Sequence, residues 1–270
     1  MNRIALAQMQ STPDIENNLK TSMAYISEAA DANADLIAFP ETFLLIGDAS
    51  LILKSAESIE GPLVSQFQQQ AAKLDISILM GSFCETNPDE TDKVFNTSIL
   101  IDRNGNIVAV YRKIHLFSIF TSEVTLDESL LFSPGSDIVT CDHEIGKIGL
   151  SICYDMRFPN LYQKLGAEGA QIIFVPSAFT VPTGKAHWLT LLKARAIENQ
   201  TFIAAPAQFG KHTENRESFG KSVIFDPWGN LVSLAPDKPG LIFGDINLKL
   251  LEKAHQKLPV GQHKIKGIDF

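Results

Sequence analysis

Short apolar runs alternate with apolar residues at helical spacing along this chain, and that alternation restricts its fold more than any other feature. Ile4 to Met9 reads as a buried strand. Asp14 is an N-cap, and Ile15, Leu19, Met23, Ile26 and Ala30 then recur at steps of three and four, one face of a helix. Leu36 to Phe39 is a strand closed by Pro40; Pro62 opens a helix with Leu63, Phe67 and Leu74 on its apolar face; Ile76 to Phe83 is the next strand. A hairpin follows, Thr97 to Ile101 and Ile107 to Arg112 around Asp102-Arg103-Asn104-Gly105. Residues 115 to 135 lack periodicity and read as one long loop, of the sort that carries function in a compact domain. Beyond it the pattern gives strands at Ile138 to Cys141, Lys147 to Ile152, Ile172 to Val175, Phe202 to Ala207, Ser222 to Phe225, Leu231 to Leu234 and Leu241 to Ile246. Helices are expected over Pro159 to Ala167, Lys185 to Asn199 and Leu248 to Lys257. The expectation is one α/β domain over residues 1–270, with 258–270 an extended tail, and the hairpins make its sheets mixed.

Composition narrows the function. The chain is 45% hydrophobic and 20% charged, too apolar for disorder, and a net charge of −8 disfavours nucleic acid and anionic membranes as partners. The longest uncharged run, Gly169 to Gly184, contains Pro176 and Pro182 and is short for a membrane span. Gln8 and Gln10 interrupt the N-terminal apolar stretch, a poor signal-peptide core. Three scattered cysteines make no disulfide framework and no CxxC zinc pair. A cytoplasmic protein is expected.

Three residues at carboxyl ends of predicted strands are chemically complementary, and in open α/β sheets ligands bind at that end. Cys153 lies on a strand-to-helix turn, where a nucleophile is exposed, although a cysteine more often packs as a small hydrophobe. Glu41 has apolar neighbours; desolvation would raise its pKa and suit it to general-base work, while an N-cap or a salt bridge is the plainer use. Lys113 ends the hairpin and is otherwise a solvated rim lysine. A carboxylate takes the proton of a thiol, and an ammonium stabilises thiolate and oxyanion. Six histidines offer a rival Cys–His dyad, but its usual local signatures are absent. The cluster Cys141-Asp142-His143 has no second ligand cluster to make a metal site.

With these segments placed, the chain resembles the nitrilase superfamily of carbon–nitrogen hydrolases over nearly its whole length. Its signatures are Phe39-Pro40-Glu41, Tyr111-Arg112-Lys113, and Ile152-Cys153-Tyr154-Asp155 with Arg157-Phe158-Pro159, in that order. The resemblance implies a four-layer αββα sandwich of two mixed sheets. It makes Glu41 the general base, Lys113 and the Tyr154 backbone N–H the oxyanion stabilisers, Cys153 the nucleophile and Glu128 an assisting acid. It also implies substrate contacts at Arg157, Phe179 and Thr180, no metal or organic cofactor, and a homodimer or higher even oligomer paired through helices near the nucleophile. A structural pairing of Arg157 with Asp155 or Glu41 is the competing use of that residue, and His187 and Trp188 are expected to be structural. Within the superfamily the segments Pro176-Ser177-Ala178-Phe179-Thr180, Thr183-Gly184, Ala186-His187-Trp188, Arg195 to Gln200, Ala207-Gln208 with Gly210 and His212, Arg216 with Ser218 and Gly220, and Asp226-Pro227-Trp228-Gly229 resemble the branch of deaminated glutathione amidases. Leu189, Lys221 and Asn160 depart from residues frequent there. The implied reaction is hydrolysis of a small linear amide, deaminated glutathione first, an ω-keto amide second, with a non-catalytic binding protein on the same fold as the third possibility.

Overall fold

Ile4 and Leu6 point to one side of the first strand and Ala5 and Ala7 to the other, and the two sides meet different layers. The structure is a computed structural model and describes residues 1–120 and 125–265. In chain order the first half holds β1 (Asn2–Gln8), α1 (Ile15–Asp31), β2 (Leu36–Ala38), α2 (Ala49–Ser55), α3 (Pro62–Leu74), β3 (Ser77–Thr86), β4 (Val94–Ile101), β5 (Ile107–Arg112), β6 (Ser118–Phe120) and β7 (Thr125–Asp127). The second half holds β8 (Thr140–Cys141), β9 (Ile148–Leu150), α4 (Pro159–Ala167), β10 (Ile172–Phe174), α5 (Val181–Asn199), β11 (Phe202–Ala205), β12 (Phe209–Thr213), β13 (Arg216–Phe219), β14 (Val223–Phe225), β15 (Leu231–Leu234), β16 (Gly240–Ile246) and α6 (Lys249–Lys257).

Two six-stranded sheets result, ordered β16-β1-β2-β3-β4-β5 and β15-β14-β11-β10-β9-β8. Each has three parallel strands at its centre, β1-β2-β3 and β9-β10-β11, with antiparallel strands outside. Ile4, Leu6, Leu36, Leu79 and Leu100 of the first sheet share a core with Ile148, Ile172, Phe174, Ile203 and Ile224 of the second, so the sheets pack face to face. On the far side of the first sheet, Ala5, Ala7, Ile37 and Ile78 meet Ile26 and Ala29 of α1 and Val64, Phe67 and Ala71 of α3. Leu161, Tyr162 and Leu165 of α4 and Trp188, Leu192 and Ala196 of α5 cover the second sheet. The four-layer αββα sandwich with mixed sheets is the expected one.

Several local expectations are corrected. The buried line of α1 is Asn18, Ser22, Ile26 and Ala29, with Leu19, Met23 and Ala30 flanking it. Asn18 is drawn inside because its amide bonds the Thr12 N–H and the carbonyls of Thr12 and Leu44. The loop over 115–135 contains the β6–β7 hairpin and a 3-10 turn at Glu128–Leu130; residues 121–124 within it lie outside the described residues. Helix α5 begins four residues before Lys185, because Thr180 is extended at its N-cap and Pro182 suits a first turn. The strand expected at Ile138 pairs only from Thr140. Helix α2 and the hairpin β12–β13 were not expected. The tail is not extended throughout: Val260–His263 makes a 3-10 turn, and 266–270 lie outside the described residues. Among the described residues no helix is long and apolar enough to cross a membrane.

Candidate active site

Strand direction brings the three chemical residues to one end of the sandwich. Strand β4 runs back beside β3 and β5 returns, so β5 ends at the same edge of its sheet as β2. Glu41 lies three residues beyond β2 and Lys113 directly beyond β5, while Cys153 lies three residues beyond β9 in the facing sheet. A register shift between Met80 and Phe83 turns the Ser82 hydroxyl to accept from the Thr42 N–H at 2.9 Å. Gly81 passes so close under the carbonyls of Phe39 and Pro40 that no side chain fits there. Both features fix the turn that carries Glu41.

Glu41, Lys113 and Glu128 form a buried ion cluster. Lys113 Nζ donates to Glu41 Oε1 and to Glu128 Oε2, each at 2.8 Å, with the lysine side chain only 1% exposed. Asn96 Nδ2 donates to Glu41 Oε1 at 3.0 Å and the Ala178 N–H to Glu41 Oε2 at 2.9 Å. Glu128 Oε2 also accepts from the Phe117 N–H at 2.8 Å, which ties the long loop to the lysine. Burial pushes the Glu41 carboxyl upward, but the charge and hydrogen bond of Lys113, a hydrogen bond from the Cys153 thiol and the charge of Arg216 together hold it below its ordinary value. This overturns the expectation of a raised pKa, which weighed burial without the counter-ion. Lys113 is lowered by burial and raised more by Glu128, Glu41 and Cys153, so it stays charged. Burial and the Glu41 charge push the Cys153 thiol well above its ordinary value, against Lys113. The resting state is therefore carboxylate, ammonium and thiol.

Cys153 has φ +48, a left-handed conformation that costs an L-residue about 1–2 kcal/mol. Asp155, fully buried, stabilises that turn. Its Oδ2 accepts from the Ile152 N–H at 2.8 Å and from Tyr111 Oη at 2.6 Å. Its Oδ1 accepts from the His115 N–H at 3.0 Å and contacts His115 Nδ1 at 2.7 Å. One carboxylate thus fastens the Cys153 turn of one sheet to both sides of Lys113 in the other. The Cys153 N–H is bound to the Pro176 carbonyl, whereas the Tyr154 N–H donates to no described group.

A family model described as carbon-nitrogen hydrolase matches residues 3–256. This chain belongs to the carbon–nitrogen hydrolase family. The hydrolase is 40% identical over 273 residues to a protein named deaminated glutathione amidase from Dictyostelium discoideum, covering 98% of this chain and 94% of that one. It is similar to a solved Saccharomyces cerevisiae protein described as a member of branch 10 of the nitrilase superfamily, with a TM-score of 0.88, 30% identity, and coverage of 98% and 97% of the two chains. It is also similar to a solved glutamate-to-glutamine mutant of the amidase from Nesterenkonia sp. AN1, with a TM-score of 0.78, 25% identity and coverage of 97% and 100%. That structure shows Michael addition of acrylamide at its active site cysteine.

The other expected residues divide. Arg157 pairs with neither Asp155 nor Glu41; its guanidinium lies over the rings of Phe179 and Tyr154 and touches His187 Nδ1 at 3.3 Å. Phe179 is buried against Trp188, and Thr180 bonds Thr183 at the start of α5. Trp188 is structural, fully buried with its indole N–H on the Lys221 carbonyl, while His187 is exposed. Lys221 pairs with Asp237, Leu189 packs at the core margin and Asn160 is exposed on α4. The histidine dyad does not form: His115 is engaged by Asp155, His143 by Ser77 and His212 by Ser11, and His255 and His263 are exposed. Burial pushes His212 down to about 4. Sequence reasoning missed Asn96 and gave Gln208, one of the residues of the resemblance, no role in the site. Gln208 holds the Glu41 carbonyl and the Ser11 hydroxyl, and Asn96 sits in the buried polar run Asn96-Thr97-Ser98 of an otherwise apolar strand, which was its signal.

Proposed function

We propose that this hydrolase cleaves the amide of deaminated glutathione to 2-oxoglutarate and cysteinylglycine through a thioester on Cys153. The observation that carries the chemistry is a buried Glu41 carboxylate, held ionised by Lys113 at 2.8 Å, whose charge acts on the neighbouring Cys153 thiol. The substrate follows from the relatives so named at about 40% identity over nearly the whole chain. Cys153 Sγ attacks the amide carbon as its proton passes to Glu41. Transfer to so low a base is unfavourable at rest, so it proceeds with C–S bond formation rather than before it. The oxyanion rests on Lys113 Nζ and the Tyr154 N–H, and Glu128 keeps the ammonium in place. Glu41 returns the proton to the departing nitrogen, the C–N bond breaks, and a thioester remains. Glu41 then takes a proton from water, whose hydroxyl releases the acid and restores the thiol. Arg157, without a carboxylate partner among the described residues, is suited to a substrate carboxylate, with Phe179 under its guanidinium and Thr180 next in the chain.

We read the whole chain as one catalytic domain of the cytoplasm, in keeping with its three free cysteines, and as at least a dimer. The helix that follows Cys153, α4, turns Asn160, Lys164 and Ala167 outward. Exposed apolar side chains instead sit at Ile197 of α5 and at Trp228 beside it.

An assay that measures cysteinylglycine and ammonia in parallel tests the substrate. Deaminated glutathione is expected to be turned over with the higher kcat/KM; a preference for 2-oxoglutaramate would assign the protein as an ω-amidase, and no adduct with any short amide would make it a binding protein. The pH profile tests the chemistry. With Glu41 lowered and Cys153 and Lys113 raised, kcat/KM is expected to be flat from about pH 5 to about pH 9 and to fall only below the ordinary carboxylate range. An acid limb near neutrality would show that Glu41 is not the base.

A further inference from the structure

The hairpin β12–β13 joins the two sheets at the end where Glu41 and Cys153 lie. Its first strand is bound to the exit of β1: the Phe209 N–H donates to the Met9 carbonyl at 2.7 Å, and His212 Nδ1 donates to the Ser11 carbonyl at 2.8 Å. Its second strand is bound to the segment leading into α5, through the Phe219 N–H on the Phe179 carbonyl at 2.9 Å and a bridge between Ser218 and Thr180. Arg216 opens β13 opposite Thr213 and shares a strand face with the buried Ser218.

Six arginines occur in the chain, and Arg3, Arg103, Arg112 and Arg195 each pair with a carboxylate. Among the described residues Arg157 and Arg216 do not. Arg216 is half-buried and its guanidinium makes no hydrogen bond or ion pair with any described residue, although a guanidinium partly removed from water gains most from a bidentate anion. Its hairpin is fastened to the Glu41 turn, since Gln208, the residue before β12, donates to the Glu41 carbonyl at 3.1 Å and to Ser11 Oγ at 2.8 Å, and the Arg216 charge acts on Glu41 and Cys84. Arg216 therefore lies on the general-base side of the site and Arg157 on the side of Tyr154 and Phe179. The group that receives a proton from Glu41 is the departing nitrogen, so the leaving group occupies the side of Arg216.

We propose that Arg216 binds the terminal carboxylate of the departing peptide and thereby selects amides with an acidic leaving group over amides that release ammonia. This rests on the substrate reading above and adds a specificity residue to it. A carboxylate end of the acyl group then falls to Arg157, so the two unpaired guanidinia hold opposite ends of a dianionic substrate.

The test compares deaminated glutathione with its C-terminal glycinamide, identical except for the terminal carboxylate, in wild type, R216Q and R216K. Wild type is expected to favour the free acid in kcat/KM by about 30- to 100-fold, the worth of a charge-assisted pair. In R216Q that ratio falls to near one, and in R216K, which keeps the charge without the planar fork, it is intermediate. Equal cleavage of acid and glycinamide by wild type, or the same ratio in R216Q, overturns the assignment alone. A wild type that releases cysteinylglycine from neither peptide, yet forms an acyl adduct with simple amides, overturns the substrate reading and this assignment with it.

Discussion

Replacing Cys153 by Ala is expected to lower turnover of every amide by about 10⁵-fold or more while the protein keeps its fold. The substitution removes one buried sulfur and leaves the φ +48 turn in the hands of Asp155, whose bonds to Ile152, Tyr111 and His115 do not involve the thiol. Stability should change by no more than about 1 kcal/mol, read by chemical denaturation. Intact-mass measurement after brief mixing should show an acyl adduct on wild type and none on the variant. Turnover within tenfold of wild type would remove Cys153 from the reaction.

Lys113→Met is expected to damage both chemistry and stability. The variant leaves two carboxylates, Glu41 and Glu128, buried around an apolar stem with no counter-charge. Breaking a buried pair in this way costs about 3–5 kcal/mol. Without the ammonium, burial raises the Glu41 pKa above its ordinary value, so the native state binds a proton that the unfolded chain does not. Its deficit relative to wild type therefore shrinks as the pH is lowered from 7 toward 5. Activity should fall by at least about 10³-fold, since the oxyanion keeps only the Tyr154 N–H. Denaturation midpoints at two pH values separate this from a simple packing defect, which would give the same deficit at both.

What the sequence disclosed was the chemistry at strand ends. Glu41, Lys113 and Cys153 each follow a short apolar run, and the run fixes where the chain leaves the sheet even when its length is misjudged by a residue or two. What it concealed were residues whose role depends on a partner far away in the chain. The carboxylate of Glu41 is low because Lys113, 72 positions later, donates to it, and local apolarity alone pointed the other way. Asn96 meets Glu41 from two strands away in the same sheet, and Gln208 reaches it from the facing sheet, so neither partner is near in sequence. The hairpin β12–β13 was silent because Lys211, Thr213, Glu214, Arg216 and Glu217 show no apolar alternation; pairing with Met9 and Phe179 forms it, not a hydrophobic stripe. Helix α2 had a legible start at Asp48, whose carboxylate accepts from the Leu51 N–H, but only 7 residues to read.

The protonated resting sulfur has a bearing on survival between catalytic cycles. Peroxides and alkylating agents react with thiolate, and at neutral pH this enzyme presents almost none, because desolvation and the adjacent negative charge keep the proton on Cys153. In the proposed reaction, nucleophilicity appears only when a carbonyl carbon arrives to accept the electron pair as the proton moves. The catalyst is thus chemically quiet when idle and is switched on by its own reactant.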